Sequence, residues 1–125
     1  MSDKWDVIFS YSRKQAIEDG VLIDVTPMAK EAGIRYPVAL TETLWNKYIV
    51  PDEEGRQKYG QSEDGRLWDV LWIFRTMASR TKGNILFFQV LFVLDSQQKF
   101  VDLKAVCGPG DTPDPVITIM LPDED

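Results

Sequence analysis

Apolar residues recur along the chain in two rhythms, and the changes between them mark out its elements. Between Leu67 and Ala78 the rhythm is helical: Leu67, Val70, Leu71, Phe74, Met77 and Ala78 form one stripe. Trp68 and Trp72 widen that stripe past half the circumference, which predicts a largely buried helix over roughly Arg66–Arg80, with Arg66, Asp69, Thr76 and Arg80 on its wet edge. After Gly83 the rhythm shortens to two. The run ILFFQVLFVL (85–94) is apolar on both alternating faces, the mark of a central strand covered on both sides, with Gln89 as a buried polar residue needing a partner. In QKFVDLKAVC (98–107), Val101, Leu103, Ala105 and Cys107 point inward while Asp102 and Lys104 point out. The last strand places Ile117, Ile119 and Leu121 on one face.

The first half is more broken. Trp5–Tyr11 reads as a strand with Val7, Phe9 and Tyr11 on one side. Ser12 and Gln15 then make a capping box, and Gly20 ends the short helix. Val21–Val25 is extended; Thr26 and Pro27 predict an N-cap and first helical position, and Gly33 ends that helix. In the extended run 34–40, Pro37 argues against a central strand, because it has no N–H to give to a ladder. Thr41 or Thr43 opens a helix carrying Leu44, Trp45, Tyr48 and Ile49, which Pro51 closes. The polar, glycine-rich run 51–65 predicts a long loop, and Ser62 or Asp64 caps the main helix. The order implies one α+β domain over 1–125, with an antiparallel C-terminal β-meander packed on the long helix and short strand–helix units before it.

Composition narrows the chemistry. The chain has 125 residues, a net charge of −6 and no histidine. Without histidine, Ser–His–Asp and Cys–His catalysis within the chain is excluded, as are histidine-based zinc sites. The single cysteine, Cys107, cannot form an internal disulfide and suits a reducing compartment. The negative charge disfavours nonspecific nucleic-acid binding and suits a basic protein partner. With no signal-like N-terminus and no span-length apolar run, the expectation is a cytoplasmic protein that does not enter membranes. No cofactor and no metal is expected.

Few residues remain as binding candidates. Tyr11 and Arg13 flank Ser12 in a polar cluster at a strand end; if Ser12 only caps a helix, Arg13→Ala should change little. Asp111, with Asp114, sits in a loop that its prolines and glycines already explain as a stiff turn. Trp68 and Trp72, one helical turn apart, are core residues or an interface pair. Arg35, in the extended run before Pro37, completes the set. None of these is expected to be catalytic.

The runs SRKQAIEDGVLIDVTPMAKEAGIRYPVALT, RLWDVLWIFR and GDTPDPVITIMLPDED resemble an uncharacterised family of small bacterial, phage and mobile-element proteins. That resemblance implies a phage or mobile-element setting and carries no catalytic residues with it. The outline of VIFSYSRKQAIEDGVL also resembles the opening of ADP-ribosyltransferases, with Ser10 where those carry His or Arg. Two expectations follow. The first is a non-enzymatic accessory protein that binds a protein partner through an acidic, Trp-bearing surface, with interference in a host defence system as one form. The second is a small-molecule or nucleotide-processing enzyme built on Tyr11–Arg13. A third reading is a subunit of a larger assembly, with its sheet edge completing another sheet.

Overall fold

The computed structural model describes residues 11–124. The strand expected over Trp5–Tyr11 lies outside the described residues except for Tyr11. From Ser12 onward the order is α1 (Arg13–Glu18), β1 (Leu22–Asp24), α2 (Thr26–Glu31), β2 (Val38–Thr41), α3 (Glu42–Leu44) running into a π-helical turn (Trp45–Ile49), α4 (Glu53–Tyr59), α5 (Glu63–Ala78), β3 (Ile85–Leu94), β4 (Gln97–Pro109) and β5 (Pro115–Met120). The fold is α+β, and β3, β4 and β5 form the expected antiparallel meander.

The five strands form one sheet in the order β1-β2-β5-β4-β3. β2 runs parallel to β5, with Val38 opposite Ile117 and Leu40 opposite Ile119, and this pairing joins the two halves of the chain. β2 is therefore an interior strand, contrary to the reading of Pro37. The proline stands one residue before the strand, where its missing N–H costs no ladder bond, and its carbonyl accepts from the Ile117 N–H.

One face of the sheet carries the main core. Val38, Leu40, Ile117, Ile119, Leu103, Ala105, Phe88, Val90 and Phe92 meet Ala29, Leu44, Ile49, Leu67, Val70, Leu71 and Phe74 from the helices. Phe74 and Ile119 are both buried, so the helix-on-sheet interior stands as expected. On the other face, α1 and the C-terminal turn cover only part of the sheet, around Ala16, Ala39 and Met120. Glu124 fixes that turn: its carboxylate accepts from Thr41 Oγ1 and the Leu121 N–H, both at 2.7 Å, and its carbonyl accepts from Lys104 Nζ.

Three further expectations change. The run 51–65 contains α4: Asp52 caps it by accepting the Gly55 N–H at 2.6 Å, and Gly60 ends it at φ +62. Its apolar content is too low for periodicity to reveal it, whereas its cap and glycine stop are local signals. The long helix starts at Glu63 under the Ser62 cap and ends at Ala78. Thr26 lies inside α2 and Val25 takes the cap position. The Thr26 hydroxyl instead donates to Asp24 at 2.5 Å and accepts the Val38 N–H at 3.2 Å, tying α2 to β2.

Candidate functional site

The N-terminal polar cluster is a clamp. Ser12 caps α1 by accepting the Gln15 N–H at 3.0 Å. Asp111 reaches the same helix end from the β4–β5 loop, its two oxygens accepting the Arg13 and Lys14 N–H groups at 2.7 and 3.0 Å. Arg13 turns inward and donates to Thr118 Oγ1 at 2.7 Å and to the Ile117 carbonyl at 2.8 Å. Burial lowers its guanidinium from the ordinary value, against Asp24 and Asp111, which raise it. Arg13 thus fastens α1 to β5, and the expectation that it matters little to stability is corrected. Tyr11 donates to Asp19 at 2.6 Å, and that bond holds the phenol above its usual pKa. The Tyr11 hydroxyl, the Ser12 hydroxyl, the Arg13 Nη atoms and both Asp111 oxygens all bond within the fold. Asp111, with both oxygens engaged on N–H groups, is a second cap contributed from across the chain.

The long helix departs most from its sequence reading. Arg66, expected on the wet edge, is 3% exposed and donates to the Tyr48 carbonyl at 2.8 Å and the Val93 carbonyl at 2.7 Å. Its guanidinium also lies 5.6 Å from the centre of the Phe92 ring. The π-helical turn makes this possible, because it carries Tyr48 to a stacked position 6.2 Å from Phe92 and turns its carbonyl toward the helix. Trp68 and Trp72, expected to extend the buried stripe, face outward and stack on each other at 6.1 Å. Met77 is exposed as well. The helix packs on the core through buried Leu67, Val70, Leu71 and Phe74, with Ile73 and Ala78 partly buried beside them.

The strand expected at the centre of the sheet is its edge. Among the described residues β3 pairs only with β4, through a two-residue turn at Asp95 and Ser96 whose φ angles of 49 and 66 match the right-handed twist of a tight hairpin. Its even-numbered residues point into the core. Its odd-numbered residues form an outer face with Ile85, Phe87 and Leu91 in solvent, joined by Phe100 opposite Leu91. Phe87 is 62% exposed and Phe100 69%. Gln89 is on this outer face, where it donates to Asp102 at 2.7 Å. The backbone is divided in the same way. Asn84 accepts from the Cys107 N–H, so the even residues turn their amides and carbonyls to β4. Ile85, Phe87, Gln89 and Leu91 turn theirs to the open edge; among the described residues no hydrogen bond reaches those groups, and only Val93 is covered, by Arg66. A long, uncharged, apolar edge is what soluble proteins usually block with lysine, proline or a bulge, and β3 has none of these.

Arg35, the remaining candidate, stands apart from Tyr11, Arg13 and Asp111. It lines a cleft with Arg75 between the α2–β2 loop and the end of α5. The structure therefore divides the six candidates into a clamp (Tyr11, Arg13, Asp111), an exposed aromatic pair (Trp68, Trp72) and a cleft (Arg35). The β3 edge escaped sequence reasoning, because a run apolar on both faces fits a covered central strand equally well.

A family model for a family of unknown function (DUF6573) matches residues 2–125. The chain belongs to that family. No curated protein and no solved structure matches it. For this DUF6573 member, then, the geometry is what bears on function. No helix among its described residues is long and apolar enough to cross a membrane.

Proposed function

We propose that the protein is a non-enzymatic binding module that takes a strand of a partner protein onto the β3 edge. The observation that carries this is the coincidence on β3 of a backbone at Ile85, Phe87, Gln89 and Leu91 left open among the described residues with an outward apolar face. Strand addition uses both: main-chain bonds hold the guest, and alternate side chains select it. The chain's net charge of −6 favours a guest from a basic protein. In its finer form the proposal places the module in a phage or mobile element, acting on a host or element-encoded protein, with interference in a defence system as one outcome. The structural bonds of Tyr11, Ser12 and Arg13 weigh against the enzymatic reading.

The test is capture of a partner by the native protein and by Phe87→Lys, with backbone hydrogen exchange followed in the complex. Support is a partner lost on Phe87→Lys whose binding slows exchange at Phe87, Gln89 and Leu91. Capture that survives the substitution, protection confined to the Trp68–Trp72 face, or no partner at all overturns it. So does a stable homodimer that already protects those amides, since a second copy would then fill the edge.

A further inference from the structure

We infer that the cleft between the α2–β2 loop and the C-terminal end of α5 binds a small organic anion with a flat apolar body. The cleft has a volume of about 550 Å³, within the range of small-ligand sites. Its floor is apolar, built from Phe74, Leu86, Ala105 and Ile117, with the half-buried thiol of Cys107 beside them. Arg35, Tyr36 and Arg75, all exposed, also line it.

Charge decides the class of ligand. The protein has 20 acidic and 14 basic residues, yet no carboxylate of the described residues lines this cleft. Four other clefts each include at least one: Asp111, Asp24, Asp123 or Asp102. Neither arginine has an ion-pair partner among the described residues, where the pairs are Arg56–Glu63 and Lys58–Glu54. Two unpaired guanidiniums over an apolar floor, with no opposing charge, match an anionic head joined to a flat apolar body.

Arg75 is held in place for such a role. Its guanidinium lies 5.5 Å from the centre of the Trp72 ring on one side. On the other it passes over Gly33, where a Cβ would stand 2.7 Å from Nε. Gly33 has φ +91, a backbone conformation that favours glycine, and the arginine lies close above it. A helix C-terminus ordinarily repels an anion. Here the last carbonyls are already engaged: Arg75 accepts from the Ser79 N–H, Thr76 from Ser79 Oγ, Met77 from Thr81 Oγ1 and Ala78 from the Thr81 N–H.

The test uses 8-anilinonaphthalene-1-sulfonate, an aromatic anion whose fluorescence reports binding, with neutral N-phenyl-1-naphthylamine as comparison. The native protein should bind the sulfonate saturably at one site. Arg75→Ala and Arg35→Ala should each weaken it by about tenfold, the scale of losing one charge-assisted contact. Neither should change binding of the neutral dye. Phe87→Lys is the control for dye on the bare β3 face and should leave the saturable component unchanged; it also separates this site from the proposed partner surface. Matched circular dichroism and urea midpoints show that each variant is folded. Absence of saturable binding, native affinity in both arginine variants, or loss on Phe87→Lys overturns the inference.

Discussion

Arg66 Nη2 donates to the carbonyl of Val93 at 2.7 Å, so the one buried charged side chain among the described residues ties the long helix to the outer strand of the sheet. The same guanidinium holds the Tyr48 carbonyl at 2.8 Å. Replacing it leaves two inward-facing carbonyls without their donor. Arg66→Ala should lower unfolding stability by about 3 kcal/mol, the scale of lost hydrogen bonds to a charged group. Arg66→Lys should recover only part of this, because a single ammonium lacks the fork that reaches two acceptors. Urea denaturation measures both, and a loss below about 1 kcal/mol for Arg66→Ala would contradict this role.

Arg13 and Asp111 act on opposite sides of one helix start. Arg13→Ala removes two bonds to β5 and should cost about 2 kcal/mol. Asp111→Ala removes a cap and should cost about 1 kcal/mol. Because both secure α1, the double variant should lose less than the sum of the single losses. Chemical denaturation of the three variants checks it, and strict additivity would place the residues in separate units.

Adjacent residues of β3 should respond in opposite ways. Phe88 is buried against Phe74 at 5.9 Å, and Phe88→Ala should cost about 3–5 kcal/mol. Phe87 faces water, and Phe87→Lys should change stability by less than about 0.5 kcal/mol while abolishing partner binding. Thermal melts set against capture experiments separate the two effects.

The Tyr11 hydroxyl should titrate above an ordinary tyrosine, because its bond to Asp19 favours the neutral form. The folded-state value is raised, so the contribution of this bond is present below the ordinary value of 10.0 and is lost as pH rises through the folded value. NMR titration of the Tyr11 ring should show the raised midpoint, and Asp19→Asn should bring it down. An unshifted midpoint in the native protein would mean that the bond does not persist in solution.

Ser96 is a non-glycine residue at φ 66 in the β3–β4 turn. Ser96→Gly relieves that strain but removes the hydroxyl's bond to Glu54 at 2.6 Å. The backbone term of about 1 kcal/mol outweighs an exposed hydrogen bond, so the substitution should raise the melting temperature.

Local signals in the sequence were enough for the cap at Ser12, the long helix, the C-terminal meander and the inward set Val101, Leu103, Ala105, Ile117 and Ile119, and they narrowed two further caps to Thr41 or Thr43 and Ser62 or Asp64. Each depends on a spacing or a hydrogen bond within a few residues of itself. Tertiary structure decided everything set by which elements become neighbours. It made β2 an interior strand by pairing it with β5, and it left β3 at the edge although its composition suits a centre. It also buried Arg66 by bringing two carbonyls to it, and left Trp68 and Trp72 exposed on the flank of α5 turned away from the sheet. Periodicity records which residues share a face; whether that face meets protein or water is settled by the partners, and those come from far along the chain.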